Sequence, residues 1–165
     1  MNPEIINEVV ANSEVLGMGP EIFGWIGSGL AMGISALGSA IGISFVGSAA
    51  VGAWKRCYKS NRPAPMTILA LCGMPLSQTI YGFILMGEML GVTVTPDNAG
   101  LLLGFGIGTG FAIAFSAIAQ GKIAAAAADA LADTSKGFVN YLTVIGIAET
   151  VALFAMVLTM INLPS

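Results

Sequence analysis

Four long apolar stretches constrain the fold of this chain more than any other feature. They run from about Ile22 to Trp54, Ala64 to Leu90, Ala99 to Ala128 and Phe138 to Leu163, and each is long enough for a membrane-spanning helix, which needs about 20 residues. Hydrophobic residues make up 56% of the chain, charged residues make up 9%, and histidine is absent. Because such a composition could not cover a soluble surface, we predict an all-α membrane protein with four transmembrane helices and no soluble catalytic domain.

The basic residues indicate the orientation of the predicted helices. Four of the six lie between Lys55 and Pro63, and the polar break around Asp129 to Lys136 contains one more and is flanked by Lys122. Loops rich in lysine and arginine stay in the cytoplasm. Both termini and the turn from Gly91 to Asn98 are therefore expected outside.

Residues 1–21 differ in composition from the rest of the chain. They carry four glutamates and no basic residue, which is the opposite of the positively charged start of a secretory signal. We predict a retained, polar and acidic N-terminal extension. The two cysteines, Cys57 and Cys72, lack metal-ligand spacing, and we assign no chemistry to them.

The apolar stretches form an internal repeat. The segment beginning Ser39-Ala40-Ile41 in the first stretch matches Ser116-Ala117-Ile118 in the third, and Gln78-Thr79 in the second matches Glu149-Thr150 in the fourth. We predict two duplicated helical hairpins, 22–91 and 92–165. Both copies run in the same direction, which suits radial repetition around an axis better than the inverted repeats of many secondary transporters. Glycine pairs four residues apart predict close packing of the first and third helices.

Five polar side chains lie within the predicted helices. Glu149 is in the middle of the last one with no basic residue within ten positions, Gln120 is in the third, and Ser77, Gln78 and Tyr81 follow Pro75 in the second. A charge at the membrane midplane costs at least about 2.5 to 3.5 kcal/mol, and a buried amide or hydroxyl without a partner costs about 2 to 7 kcal/mol. We therefore expect these groups to converge, although Gln120 counts deeper towards the cytoplasm than Glu149.

The converging groups favour ion transport over a purely structural role. They offer carboxylate, amide and hydroxyl oxygens without nitrogen or sulfur ligands, which are the ligands of a hard alkali cation. The predicted cargo is Na⁺, with H⁺ as the alternative. The other interpretation is a hydrogen-bond network that only holds the helices together.

Three segments resemble one known family: 75–83, 116–126 and 148–150. Over about Phe23 to Leu163, the chain resembles the duplicated four-helix proteolipid (c or K), the rotor-ring subunit of V-type and archaeal-type rotary ATPases. The resemblance implies a homo-oligomeric ring in a bacterial or archaeal cell membrane. It also implies Na⁺ bound by Ser77, Gln78, Gln120, Glu149 and the Met74 carbonyl, with Tyr81 hydrogen-bonded to Glu149. Ser77 stands where the nearest sodium-type pattern has threonine, and the hydroxyl is retained.

The resemblance also implies partners. A stator membrane subunit would supply an arginine to the empty carboxylate, because this chain is expected to have no basic group at that depth. A central-stalk subunit would bind the cytoplasmic loops, and no nucleic acid is expected. ATP hydrolysis or synthesis would take place in a separate sector, since the chain has no Gly-x-x-x-x-Gly-Lys-[Ser/Thr] motif.

Three questions stay open at this point. Glu88 is interpreted as an interfacial carboxylate or, alternatively, as part of the ion's exit path. A stand-alone ion transporter or channel and a structural four-helix protein remain the other functional hypotheses. The sequence does not give the number of subunits in a ring or the direction in which a motor would run.

Overall fold

The computed structural model describes residues 4–5, 19 and 21–164. Within them the long elements are α1 (Glu21–Lys59), α2 (Thr67–Gly73), α3 (Ser77–Leu90), α4 (Ala99–Thr134) and α5 (Phe138–Met160). A short 3₁₀ turn, Met74–Leu76, joins α2 to α3, so that these three form one span, Thr67–Leu90. The described residues thus contain four helices long and apolar enough to cross a membrane, and the predicted all-α, four-span class is confirmed. The predicted extension 1–21 lies mostly outside the described residues, and the hairpin limits 22–91 and 92–165 stay a prediction.

The parallel helices α1 and α4 pack closely through glycine. A Cβ added at Gly38 would collide with the backbone and side chain of Ala114, and one added at Gly121 would collide with the backbone of Gly42. The predicted close approach of the first and third spans is therefore confirmed, since only glycine leaves room for these contacts. Other glycines of the same helices, including Gly29 and Gly104, have open space where a Cβ would lie.

The α-helix of the second span is interrupted at Pro75, which lacks an amide hydrogen. The α2 helix ends at Gly73, and α3 begins at Ser77 after the 3₁₀ turn. Pro75 cannot donate to the Leu71 carbonyl, which accepts a hydrogen bond from the Met74 amide instead. The tighter turn satisfies this carbonyl and starts α3 at Ser77.

The C-terminal ends of α1 and α4 are joined by exposed ion pairs. Arg56 pairs with Asp129, and the Arg62 guanidinium lies 3.9 Å from Asp133. These contacts place the loop after α1 and the end of α4 at the same end of the bundle. Because the side chains are about half exposed, they add little to stability.

Two separate apolar clusters form the core. The first, in the half of the bundle that contains the C-terminal ends of α1 and α4, includes Val46, Leu71 and Ile145. The second, in the opposite half, includes Leu85, Ile113 and Met156. The polar residues predicted to form the site lie between them along the bundle.

Candidate functional site

Glu149 lies at the centre of the site, midway along α5, and is partly buried. The Tyr81 hydroxyl on α3 donates a 2.6 Å hydrogen bond to its Oε1. The Gln120 amide on α4 donates a 3.3 Å hydrogen bond to its Oε2. Both oxygens therefore face donors from other helices, which is the arrangement that an ionised carboxylate requires.

Two fully buried glutamines connect this carboxylate to the second span. Gln78 Nε2 donates to Gln120 Oε1 at 2.8 Å, and neither side chain has any exposed surface. Gln120 Nε2 also lies 3.5 Å from the Ile145 carbonyl. The two buried amides thus satisfy one another, and an unpaired amide at this position would be costly.

Ser77 and Met74 complete the chain of contacts. The Ser77 hydroxyl lies 3.0 Å from the Met74 carbonyl and 3.2 Å from Gln78 Oε1, and it can donate to either oxygen. The 3₁₀ turn at Pro75 brings the Met74 carbonyl to this position, because it places that residue directly before the first turn of α3. The structure therefore brings together the six residues singled out from the sequence: Met74, Ser77, Gln78, Tyr81, Gln120 and Glu149.

The depth conflict at Gln120 is resolved by the length of α4. This helix begins at Ala99, as the sequence suggested, and Gln120 lies 21 residues further on. Glu149 lies only 11 residues from the C-terminal end of α5 at Met160. Because the two side chains are hydrogen-bonded, the N-terminal end of α4 extends beyond the C-terminal end of α5 by about ten residues, or about 15 Å.

Lys122 corrects one expectation. It follows Gln120 by two residues on α4, so a basic residue does lie near the depth of Glu149, contrary to the sequence analysis. Two residues correspond to about 200° around a helix, and Lys122 is exposed with its Nζ 5.4 Å from the centre of the Phe45 ring. No ion pair joins it to Glu149 among the residues that the structure describes. Over residues 21–164, the Glu149 carboxylate is therefore paired with no basic side chain.

Sequence reasoning missed Ser116. Its hydroxyl donates a 2.7 Å hydrogen bond to the carbonyl of Ala148, the residue before Glu149. This contact fixes α5 against α4 beside the carboxylate. The internal repeat aligns Ser116 with Ser39. This alignment alone could not have predicted the contact of Ser116, because the hydroxyl of Ser39 is buried without a hydrogen-bond partner.

Glu88 lies apart from these residues. It is exposed near the C-terminal end of α3 and has no part in the hydrogen-bond network around Glu149. Within the part of the chain that the structure describes, no three histidine, cysteine, aspartate or glutamate side chains are grouped to hold a metal. Any cation here would be bound by one carboxylate with neutral oxygens.

The fold and the site define a class: a multi-pass membrane protein with four apolar helices and one carboxylate held between them by hydroxyl and amide donors. The family model for the C subunit of ATP synthase matches twice, at residues 26–86 and 103–162. The chain belongs to this family, and the two matches agree with the duplicated hairpins predicted from the sequence.

One curated relative is an A-type ATP synthase subunit K from Methanocaldococcus jannaschii. It is 31% identical over 147 residues, which cover 87% of this chain. The chain spans 63% of the length of that relative.

Proposed function

We propose that this chain is the ion-carrying subunit of the membrane rotor ring of an A/V-type ATP synthase, and that Glu149 carries Na⁺. The observation that carries the proposal is the position of Glu149, mid-span, held by Tyr81 and Gln120 and without an ion pair in the part of the chain that the structure describes. Family membership and the name of the M. jannaschii relative support the rotor role.

The donor and acceptor pattern favours Na⁺ over H⁺. Both contacts to the Glu149 carboxyl come from donors, Tyr81 O–H and Gln120 N–H. A protonated carboxyl would need one of its partners to accept its hydrogen, and of these two groups only the Tyr81 hydroxyl oxygen can do so. A cation would instead find the oxygens of five residues within the cluster, Met74, Ser77, Gln78, Gln120 and Glu149, which suit a hard monovalent ion.

The apolar clusters favour a carrier over a channel. One packs on the cytoplasmic side of the polar residues and the other on the outer side. An ion at Glu149 therefore has no polar path along the described bundle to either aqueous phase. It must enter and leave sideways, across the surface of α3 and α5, where another protein can lie.

The lack of a cation paired with Glu149 in the described residues implies that the neighbouring protein supplies a positive charge. An emptied carboxylate at this depth is costly, so we infer a stator membrane subunit that presents an arginine to it. The exposed cytoplasmic loops would bind a central-stalk subunit, both termini would face outward, and the ring would lie in a bacterial or archaeal cell membrane. Moving one charge is worth about 2.3 kcal/mol per 100 mV, so several copies of this chain would serve each ATP.

Carbodiimide labelling of the complete assembly tests the proposal. The reagent modifies protonated carboxyl groups, and a bound cation should protect Glu149. We expect Na⁺ to slow labelling at constant pH and ionic strength, and K⁺ to have no effect. Glu149→Gln should abolish the labelling, whereas the matched variant Glu88→Gln should leave its Na⁺ dependence unchanged.

Three results would change the conclusion. If labelling of Glu149 responds to pH but not to Na⁺, the transported ion is H⁺ and not Na⁺. Retention of ATP-driven ion flux by Glu149→Gln would leave only a structural role. Purification as a single chain that transports ions without a peripheral ATPase would favour a stand-alone transporter.

A further inference from the structure

Ser39 on α1 carries a buried hydroxyl that the hydrogen-bond network around Glu149 does not use. Its side chain is 2% exposed, and its Oγ has no hydrogen-bond partner among the residues that the structure describes. A buried polar group without a partner is costly and rare in native proteins. The hydroxyl is therefore a candidate for a contact that forms in another state of the site.

The other buried serines of α1 satisfy their hydroxyl groups within the helix. Ser28 and Ser35 each donate to the carbonyl four residues earlier, at 2.8 and 2.6 Å, which is a common bond for serine in a helix. Ser39 makes no such bond. Because its side chain is also buried, its hydroxyl is directed into the contact between α1 and a neighbouring helix.

Two close contacts show which part of the second span faces Ser39. A Cβ added at Gly82 would collide with the side chain of Ser35, and one added at Gly42 would lie 2.9 Å from the Cβ of Pro75. Ser39 lies between Ser35 and Gly42 on the same face of α1, because residues three or four apart are neighbours on a helix. It therefore faces the stretch between Pro75 and Gly82.

Gln78 is the fully buried side chain of that stretch. It lies three residues after Pro75 and four before Gly82, on the face that packs against α1, and it has no exposed surface. The Ser39 hydroxyl and the Gln78 amide thus belong to facing helix surfaces, although no hydrogen bond joins these two groups.

The internal repeat gives the same placement independently. Ser39 is the counterpart of Ser116, whose hydroxyl donates to the carbonyl of the residue before Glu149. Gln78 is the counterpart of Glu149 in the first hairpin. The repeat therefore also places the Ser39 hydroxyl beside the backbone that leads into Gln78.

Binding of Na⁺ would leave the Gln78 amide in need of a new acceptor. Its Nε2 donates to Gln120 Oε1 at 2.8 Å, and its Oε1 lies 3.2 Å from the Ser77 hydroxyl. If both glutamine oxygens turn to a cation, the bond between the two amides is lost and Gln78 Nε2 becomes a buried donor without a partner. The Ser77 oxygen is itself a proposed ligand of the ion. The unused acceptor on the facing helix is the hydroxyl oxygen of Ser39.

We propose that Ser39 is a positioning residue of the loaded ion site, whose hydroxyl oxygen accepts a hydrogen bond from Gln78 Nε2 when Gln78 Oε1 binds Na⁺. The inference rests on the proposed function, because it concerns the state with the cation bound. Ser39 does not touch the ion. It stabilises the amide orientation that presents an oxygen to the ion, and the bond between Gln78 and Gln120 takes its place when the site is empty.

The Na⁺ dependence of the complete assembly tests the proposal through two measurements: protection of Glu149 from carbodiimide and activation of ATP hydrolysis. In Ser39→Ala we expect the half-protecting and half-activating Na⁺ concentrations to rise about fivefold, from the loss of one neutral hydrogen bond. The maximal rate at saturating Na⁺ and the labelling rate without Na⁺ should stay at the wild-type values. Thermal stability without Na⁺ should not fall, because the hydroxyl has no partner among the described residues of the empty site.

Ser35→Ala is the matched control. It also removes a buried hydroxyl from the same face of α1, but that hydroxyl is bonded within the helix, to the Ala31 carbonyl. Its half-protecting Na⁺ concentration should equal that of the wild type. In a Gln78→Leu background, which lacks the amide, Ser39→Ala should cause no further shift, since the effect acts through Gln78.

The outcomes separate the role of Ser39 from the proposed function. Equal Na⁺ dependence in Ser39→Ala and the wild type would overturn the proposal, and so would the same shift in Ser35→Ala or a further shift in the Gln78→Leu background. If Na⁺ protects Glu149 in the wild type, such a result removes only the role of Ser39. If Na⁺ does not protect Glu149 in the wild type, the proposed Na⁺ transport fails and this inference fails with it.

Discussion

Replacing Gln120 by leucine tests the proposed ion site most directly. Gln120 links the other two helices of the site, since it accepts from Gln78 at 2.8 Å and donates to Glu149 at 3.3 Å. Leucine has a similar size but can do neither. The substitution therefore removes one proposed oxygen ligand and leaves the Gln78 amide and one carboxylate oxygen without their partners.

The size of the effect follows from these contacts. A buried amide left unpaired costs about 1 to 3 kcal/mol of stability. An interaction with a charged group contributes about 1.5 to 3 kcal/mol, and 1.4 kcal/mol corresponds to a factor of about ten in affinity. We therefore expect the Na⁺ concentration that half-protects Glu149 from carbodiimide to rise at least about tenfold.

The control variant is Ser116→Ala. It also removes a hydrogen bond between α4 and α5, the 2.7 Å contact to the Ala148 carbonyl, but it takes away no proposed ligand. Its half-protecting Na⁺ concentration should stay within about twofold of the wild type even where its thermal stability falls by about 1 kcal/mol. Equal shifts in the two variants would refute the assignment of Gln120 as a ligand, because they would show that only the packing of α4 against α5 matters.

Two further variants test separate parts of the structure. Tyr81→Phe removes the 2.6 Å hydrogen bond to Glu149, so we expect faster carbodiimide labelling at low Na⁺ with normal assembly; unchanged labelling would show that Tyr81 does not restrain the carboxylate. Gly121→Ala should lower thermal stability by about 1 to 3 kcal/mol through overpacking, since its Cβ would collide with the Gly42 backbone. Gly87→Ala, where a Cβ would meet nothing within 4 Å, is the matched control, and equal losses in both would contradict the packing described for α1 and α4.

The four spans could be predicted because lipid leaves few choices. Every backbone group in a membrane must be hydrogen-bonded within the protein, so length and hydropathy nearly define the helices. The break at Pro75 was also predictable, since proline lacks an amide hydrogen. The ends of α1 and α4 could not be predicted in this way. The α4 helix continues six residues beyond Ala128, to Thr134, because a helix can include polar residues such as Asp129 and Asp133 where it leaves the lipid.

Within the site, residue types were predictable and relative depth was not. The cost of isolated polar groups in lipid predicted that Gln78, Gln120 and Glu149 would meet, and they form one hydrogen-bonded chain. Counting residues from helix ends failed for Gln120, because it assumed that all four helices end at the same level. The glycine contacts that set the height of α4 against α1 depend on which glycines face each other, and Gly29 and Gly104 show that glycine spacing alone does not decide this.

The direction of the hydrogen bonds explains why amides occupy the site. Gln78 donates to Gln120, and Gln120 and Tyr81 donate to Glu149, so that the positive ends of these dipoles point towards the carboxylate and stabilise it in the absence of a cation. For Na⁺ to bind, the glutamine oxygens must turn towards the ion instead. An amide can do both because it carries a donor and an acceptor on one planar group, whereas a second carboxylate could stabilise only the loaded state. On the proposed function, the same two glutamines thus serve the empty and the loaded site, and rotation of their amides accompanies each exchange of the ion.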